Sequence, residues 1–167
     1  MNNRFKLIGF LMIIASCKYE DGPLLSLISA ETRIAGYYEV DFVTEDGINQ
    51  MDKIDTLNIN YFYFGIEDSY IHYEHAFSVR ISDTISYPGY WTLLSDDSEI
   101  YFQTLGCDGL YSNEPVSLEP LPGFLSDGTC ALPGPTWTIT KLTQKRVWLK
   151  TTFNGKDYEV HYKQIKS

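Results

Sequence analysis

The stretch Ile71-His72-Tyr73-Glu74-His75-Ala76-Phe77-Ser78-Val79-Arg80-Ile81-Ser82 alternates from end to end. Ile71, Tyr73, His75, Phe77, Val79 and Ile81 fall on one side of an extended chain, and His72, Glu74, Ser78, Arg80 and Ser82 on the other. A period of two fits a strand with one face in a core and one in water, and excludes an amphipathic helix. The C-terminal segment follows the same rule. Tyr158, Val160 and Tyr162 share a face, with Asp157, Glu159, His161 and Lys163 opposite. Between Gly36 and the C-terminus, β-branched and aromatic residues recur in short runs separated by turn residues. These runs predict eight strands, at 37–45, 55–65, 69–82, 86–95, 98–105, 136–143, 145–153 and 157–165. Asn154-Gly155 separates the last two, and both positions tolerate the positive φ of a type I′ hairpin, so neighbouring strands are expected to pair antiparallel.

Eight sequential antiparallel strands with one apolar face each can hide their edges in an up-and-down barrel, the expected fold, or split into a β-sandwich, the alternative. Ahead of them, Leu24, Leu25, Leu27, Ile28 and Ile34 lie between Pro23 and Gly36, which predicts one short N-terminal helix.

The N-terminus carries an address. Arg4 and Lys6 precede an apolar run from Leu7 to Ala15, about 14 Å as a helix against a hydrocarbon core of roughly 30 Å. The run is too short to span a bilayer and reads as an export signal. It ends in Ile14-Ala15-Ser16-Cys17, which resembles a bacterial lipobox. That resemblance implies removal of residues 1–16, acylation of Cys17 by chains such as palmitate, and an acylated tether over 17–23 leading into a domain at 24–167. Lys18, with Glu20 and Asp21 close behind, is similar to the surface-export signals of Bacteroidota lipoproteins. The implied location is the outer membrane, facing the periplasm or the cell surface. Each buried methylene contributes about 0.8 kcal/mol, so two or three chains suffice to anchor the domain.

Processing would leave 151 of the 167 residues, a suitable size for one domain with its own core. Loss of Arg4 and Lys6 takes the formal charge from −9 to −11. A chain this acidic, without a run of Lys or Arg to track phosphates, is not expected to bind nucleic acid. Of three cysteines, Cys17 is assigned to lipid, leaving Cys107 and Cys130 as an even pair in a chain that leaves the reducing cytoplasm. A disulfide between them is expected, worth roughly 3 kcal/mol in the chain-entropy model, with two free thiols as the alternative.

Gly36-Tyr37-Tyr38 opening the first strand and Trp137-Thr138-Ile139 opening a late one resemble the Gly-x-Trp and Trp-x-Ile elements of lipocalin-like lipoproteins, with Tyr38 standing at the family's Trp. The resemblance implies a barrel that can bind a small ligand inside. Expected inward residues are Tyr38, Phe42, Tyr61, Tyr63, Tyr73, Phe77, Trp91, Phe102, Trp137, Phe153 and Tyr162. Of these, Tyr38, Tyr61, Tyr73, Trp91 and Trp137 are the candidates to line a ligand site. Side chains this large can also fill an eight-stranded interior by themselves.

The segment 106–135 contains five of the seven prolines and five of the twelve glycines, and fits no regular element. Loops of this length inside a domain are usually functional or disordered, and Leu110, Tyr111, Val116, Leu118, Leu121, Phe124 and Leu125 make this one apolar. It is expected to cap a barrel mouth or to engage an envelope partner, with Leu121 and Phe124 as candidate contacts. No catalytic residue, metal or cofactor is expected. His72 and His75 are three apart on a strand and point to opposite faces, and nucleophile-elbow and phosphate-loop motifs are absent. The acidic groups Glu45-Asp46 and Asp96-Asp97-Ser98-Glu99 fall in predicted turns. The sequence therefore points to a lipid-anchored, non-enzymatic interaction or structural module, or to a barrel binding a small apolar or glycan-like molecule.

Overall fold

A computed structural model describes residues 28–56, 59–68, 75–81, 85–104 and 135–166. Two short helices and nine strands make up the regular structure of these residues. In chain order they are α1 (Ala30–Ile34), β1 (Gly36–Glu45), β2 (Ile48–Asn49), α2 (Met51–Thr56), β3 (Ile59–Asp68), β4 (His75–Ile81), β5 (Ile85–Leu94), β6 (Glu99–Thr104), β7 (Thr136–Leu142), β8 (Arg146–Phe153) and β9 (Lys156–Lys166).

Each strand pairs antiparallel with the next, apart from β2, a two-residue hairpin appended to β1. The first strand then pairs with the last, from Tyr37 beside Lys166 to Glu45 beside Tyr158. The sheet thereby closes into an eight-stranded, all-antiparallel up-and-down barrel, lipocalin-like in architecture, and the sandwich alternative is excluded. Closure leaves no long unpaired edge to recruit another chain. Register shifts at Tyr37/Tyr38 and Val40/Phe42 bend β1 where it must turn between its two neighbours.

Hairpin chemistry agrees with the chain's turn residues. Asn154 (φ 51°) and Gly155 (φ 78°) join β8 to β9, and Asp46 (φ 50°) and Gly47 (φ 75°) join β1 to β2, the positive-φ pairs that a type I′ turn requires. The turn between β5 and β6 places Ser95, Asp96 and Asp97 all at positive φ. There Ser98 donates its hydroxyl to the Ser95 carbonyl at 2.6 Å.

The helix α1 closes one end of the barrel. Ser29 caps it, accepting from the Thr32 amide at 3.3 Å, with Glu31 in its first turn and Arg33 in its last, both suited to the helix dipole. Its Ile34 is fully buried, Arg33 Nη1 donates to the Leu142 carbonyl at 3.3 Å, and Tyr38 donates its hydroxyl to the Arg33 carbonyl at 3.1 Å. At this end, called here the α1 end, lie the β5–β6 and β7–β8 turns and the end of β9. The β1–β2 and β8–β9 hairpins and α2 lie at the opposite end.

The core is aromatic. Trp91, Trp137, Tyr38, Tyr162, Phe62, Phe64, Phe77 and Phe102 are all essentially inaccessible, with Val43, Val79, Ile100, Ile139, Leu142, Val147, Leu149 and Val160 between them. Phe64 sits at its centre, 5.4 Å from Tyr38, 5.7 Å from Phe102 and 5.8 Å from Tyr162, ring centre to ring centre.

Several expectations are corrected. Asp55 and Thr56 belong to α2, not to the strand expected over 55–65; Asn49 accepts from the Met51 amide at 2.8 Å to start this helix, and Ile54 is buried. Tyr61 and Tyr63 lie on the outer face, because β3 buries Phe62 and Phe64 instead. In the run Tyr61-Phe62-Tyr63-Phe64 both faces are aromatic, so polarity decides: phenylalanine goes inside and tyrosine keeps its hydroxyl near water. Phe42 is turned outward by the Val40/Phe42 bulge, which leaves Val43 inside. Phe153 is half-buried at the end of β8.

Phe64→Ala is expected to lower the unfolding free energy by about 3–5 kcal/mol in a urea titration. Tyr61→Ala, on the outer face, is expected to cost about 1 kcal/mol, and equal losses would contradict the assigned facing of β3.

Candidate functional site

Two places in the described structure can be asked to receive a molecule: the barrel interior and the outer face of β1 and β7–β9. Of the expected interior residues, Tyr38, Trp91 and Trp137 are fully buried and Tyr61 is outside. Tyr73 lies outside the described residues. So do Cys17, Cys107, Cys130, Leu121, Phe124 and the segment 106–135 up to residue 134.

Some of the polar groups inside the barrel are held by backbone carbonyls. Trp91 shares its indole N–H between the carbonyls of Gly65 at 3.0 Å and Ala76 at 3.2 Å, which orients the ring across the β3–β4 pair. A Cβ at Gly65 would come within 2.9 Å of the Tyr63 hydroxyl, so a side chain here would require the Tyr63 ring to shift. Burial pushes the phenols of Tyr38 and Tyr162 well above their ordinary range, so both stay neutral, and Tyr38 donates to the Arg33 carbonyl. His75 packs its ring against Trp91 at 4.5 Å, and its buried Nδ1 has no hydrogen-bond partner among the described residues.

The outer face carries two adjacent cross-strand rows. In the first, Lys141, Trp148, His161 and Phe42 are successive neighbours on β7, β8, β9 and β1. Lys141 Nζ stands 4.0 Å over the Trp148 ring, Trp148 and His161 stack at 4.1 Å and 11°, and Phe42 follows at 4.7 Å. In the second, Thr138, Lys150, Glu159 and Thr44 follow the same order. Glu159 joins the rows, accepting from His161 Nε2 at 2.8 Å and pairing with Lys150 Nζ at 3.3 Å. Partial burial raises the Glu159 carboxyl, but the hydrogen bonds from His161 and Lys150 and their charges outweigh it. The net value lies below the ordinary glutamate range.

An open groove of about 380 Å³ runs along the second row. Thr44, Thr138, Lys150, Thr152, Asp157 and Glu159 are among its lining residues. Its polar groups are largely committed to one another: Thr152 donates to Asp157 Oδ1 at 2.7 Å, and Thr151 donates to the Thr136 carbonyl at 2.8 Å. Chemically this is a hydrogen-bonding surface. No group of three or more His, Cys, Asp or Glu among the described residues could hold a metal ion.

The first row is the feature that sequence reasoning missed. Phe42 is far in sequence from Lys141, Trp148 and His161, and only the His161 side of β9 was legible as outward-facing. No protein-family model, curated protein or solved structure matches this chain.

Glu159 supports the outer rows above the unfolded-state value of about 4.3, and its contribution is lost as pH falls through the lower folded-state value. Thermal melts between about pH 5 and pH 3 should therefore show a smaller loss of Tm in Glu159→Gln than in the unmodified protein. An identical loss in both would remove Glu159 from the account of acid sensitivity.

Proposed function

We propose that this chain is a lipid-anchored, non-enzymatic protein of the bacterial outer membrane, in which a filled barrel serves as a rigid platform. Cys17 carries the acyl chains, the domain faces the periplasm or the cell surface, and the segment 106–135 engages another envelope component through Leu121 and Phe124. A Cys107–Cys130 disulfide would preorganise that segment and lower the entropy lost on binding.

The observation that supports this reading over an internal ligand site is the packing of the interior. Eight aromatic side chains from β1, β3, β4, β5, β6, β7 and β9 converge on one another and are excluded from solvent. A ligand entering there would have to displace rings already in contact, such as Phe64 with Tyr38, Phe102 and Tyr162. Interiors packed in this way do not open without losing contacts that cost about 3–5 kcal/mol per aromatic side chain. Function is then carried by surfaces. The β6–β7 connection, which contains 106–134, joins Thr104 to Thr136 at the end opposite α1, so it leaves and re-enters the barrel at one rim. No helix among the described residues is long and apolar enough to cross a membrane.

Metabolic labelling with a fatty-acid analogue is expected to mark the protein and to fail on Cys17→Ser. Unlabelled protein would reject the anchor. Leu121→Asp with Phe124→Asp should abolish capture of an envelope partner from detergent extracts while the β-sheet circular dichroism is kept; undiminished capture would remove this segment as the contact.

A further inference from the structure

Among the described residues, the large exposed apolar side chains gather at one end of the barrel. Among the described residues, five large hydrophobic side chains are exposed: Ile28, Ile48, Ile66, Leu94 and Ile165. Four of them lie at the α1 end. Ile28 leads into α1, Ile66 is near the end of β3, Leu94 ends β5, and Ile165 is near the end of β9. Only Ile48 lies at the other end, in the β1–β2 hairpin, beside Glu45 and Asp46.

We infer that the α1 end of the barrel rests against the headgroup layer of the bilayer, with Ile28, Ile66, Leu94 and Ile165 as its apolar contacts. This inference rests on the lipid anchor at Cys17 proposed above. Its second support is where the chain enters the barrel. Ten residues lie between Cys17 and Ile28, a span that cannot exceed roughly 40 Å. The ten-residue strand β1 carries the opposite end roughly 33 Å further along the chain direction, less its tilt. An anchored barrel therefore presents its α1 end to the membrane far more often than the other, as an intramolecular event with a high effective concentration.

Charge at this end selects the lipid. Lys145 and Arg146 stand at the β7–β8 turn, Asp96, Asp97 and Glu99 at the β5–β6 turn, and Glu31 and Arg33 on α1. Arg146 is also directly opposite Lys163, which is paired with Glu39 at 2.8 Å. A rim carrying both signs complements zwitterionic headgroups, which offer a phosphate and an ammonium together, better than a uniformly anionic surface. At the opposite end Glu45, Asp46, Asp52, Asp55 and Asp157 give an acidic excess over Lys53 and Lys156, which favours keeping that rim in water.

The full acylated chain in phosphatidylethanolamine–phosphatidylcholine vesicles should show slowed amide hydrogen exchange at 64–68, 93–98, 143–145 and 163–166, relative to soluble Cys17→Ser protein. Exchange at 46–49 and 154–156 should be unchanged. Combining Ile66→Asp, Leu94→Asp and Ile165→Asp, all at exposed positions, should abolish the slowing while mass spectrometry still shows the acyl chains. Acylated, vesicle-bound protein that exchanges at the α1 end as fast as Cys17→Ser protein would overturn this orientation and leave the anchor standing. Protein without acyl chains would overturn both. Slowing that appears in lipid-free Cys17→Ser protein as its concentration rises would assign the rim to self-association instead.

Discussion

The pairing of β1 with β9 is the constraint on which the rest of the molecule depends. It turns a row of hairpins into a barrel, and it places Tyr38 at the point where the first strand is shared between β3 and β9, paired with Phe62 on one side and Gln164 on the other. The β1–β3 ladder is short, spanning only Gly36–Tyr38 against Phe62–Phe64, so β1 is held to the barrel mainly through β9. The Tyr38 hydroxyl then fastens α1 by its bond to the Arg33 carbonyl, and Gln164 Nε2 donates to the Ala35 carbonyl at 3.2 Å just beyond the helix. Closure, the cap and the entry of the chain are thus one arrangement.

Closure also decides what the interior can do. Once eight strands meet, their inward side chains compete for a fixed volume, and among the described residues tryptophan, tyrosine and phenylalanine take much of it. Of the polar atoms that come with them, Trp91 Nε1 is oriented by two backbone carbonyls, and the phenols of Tyr38 and Tyr162 are kept neutral by burial. On the outside, the described residues carry the ordered rows on β7, β8, β9 and β1.

Much of this was legible because alternation is a local signal. His75–Ile81 and Tyr158–Tyr162 each display their facing in their own residues, and Asn154-Gly155 specifies its hairpin without outside help. Legibility failed where facing is a collective property. The run Tyr61-Phe62-Tyr63-Phe64 offers two aromatic faces, and a bulge at Val40/Phe42 reverses parity within β1. Helix α2 was hidden because Met51–Thr56 is one and a half turns, too short to show a helical period. The outer rows were invisible for another reason. Stacking of Trp148 on His161 depends on the register of β8 against β9, which no stretch of either strand encodes.

Nuclear Overhauser contacts in the folded protein test the closed, filled barrel most directly. The account predicts cross-strand backbone contacts between Val43 and Val160 and between Glu39 and Lys163, together with ring-to-ring contacts from Phe64 to Tyr38 and Tyr162. Absence of the β1–β9 contacts, or interior ring signals that shift when a small apolar ligand is added, would contradict it.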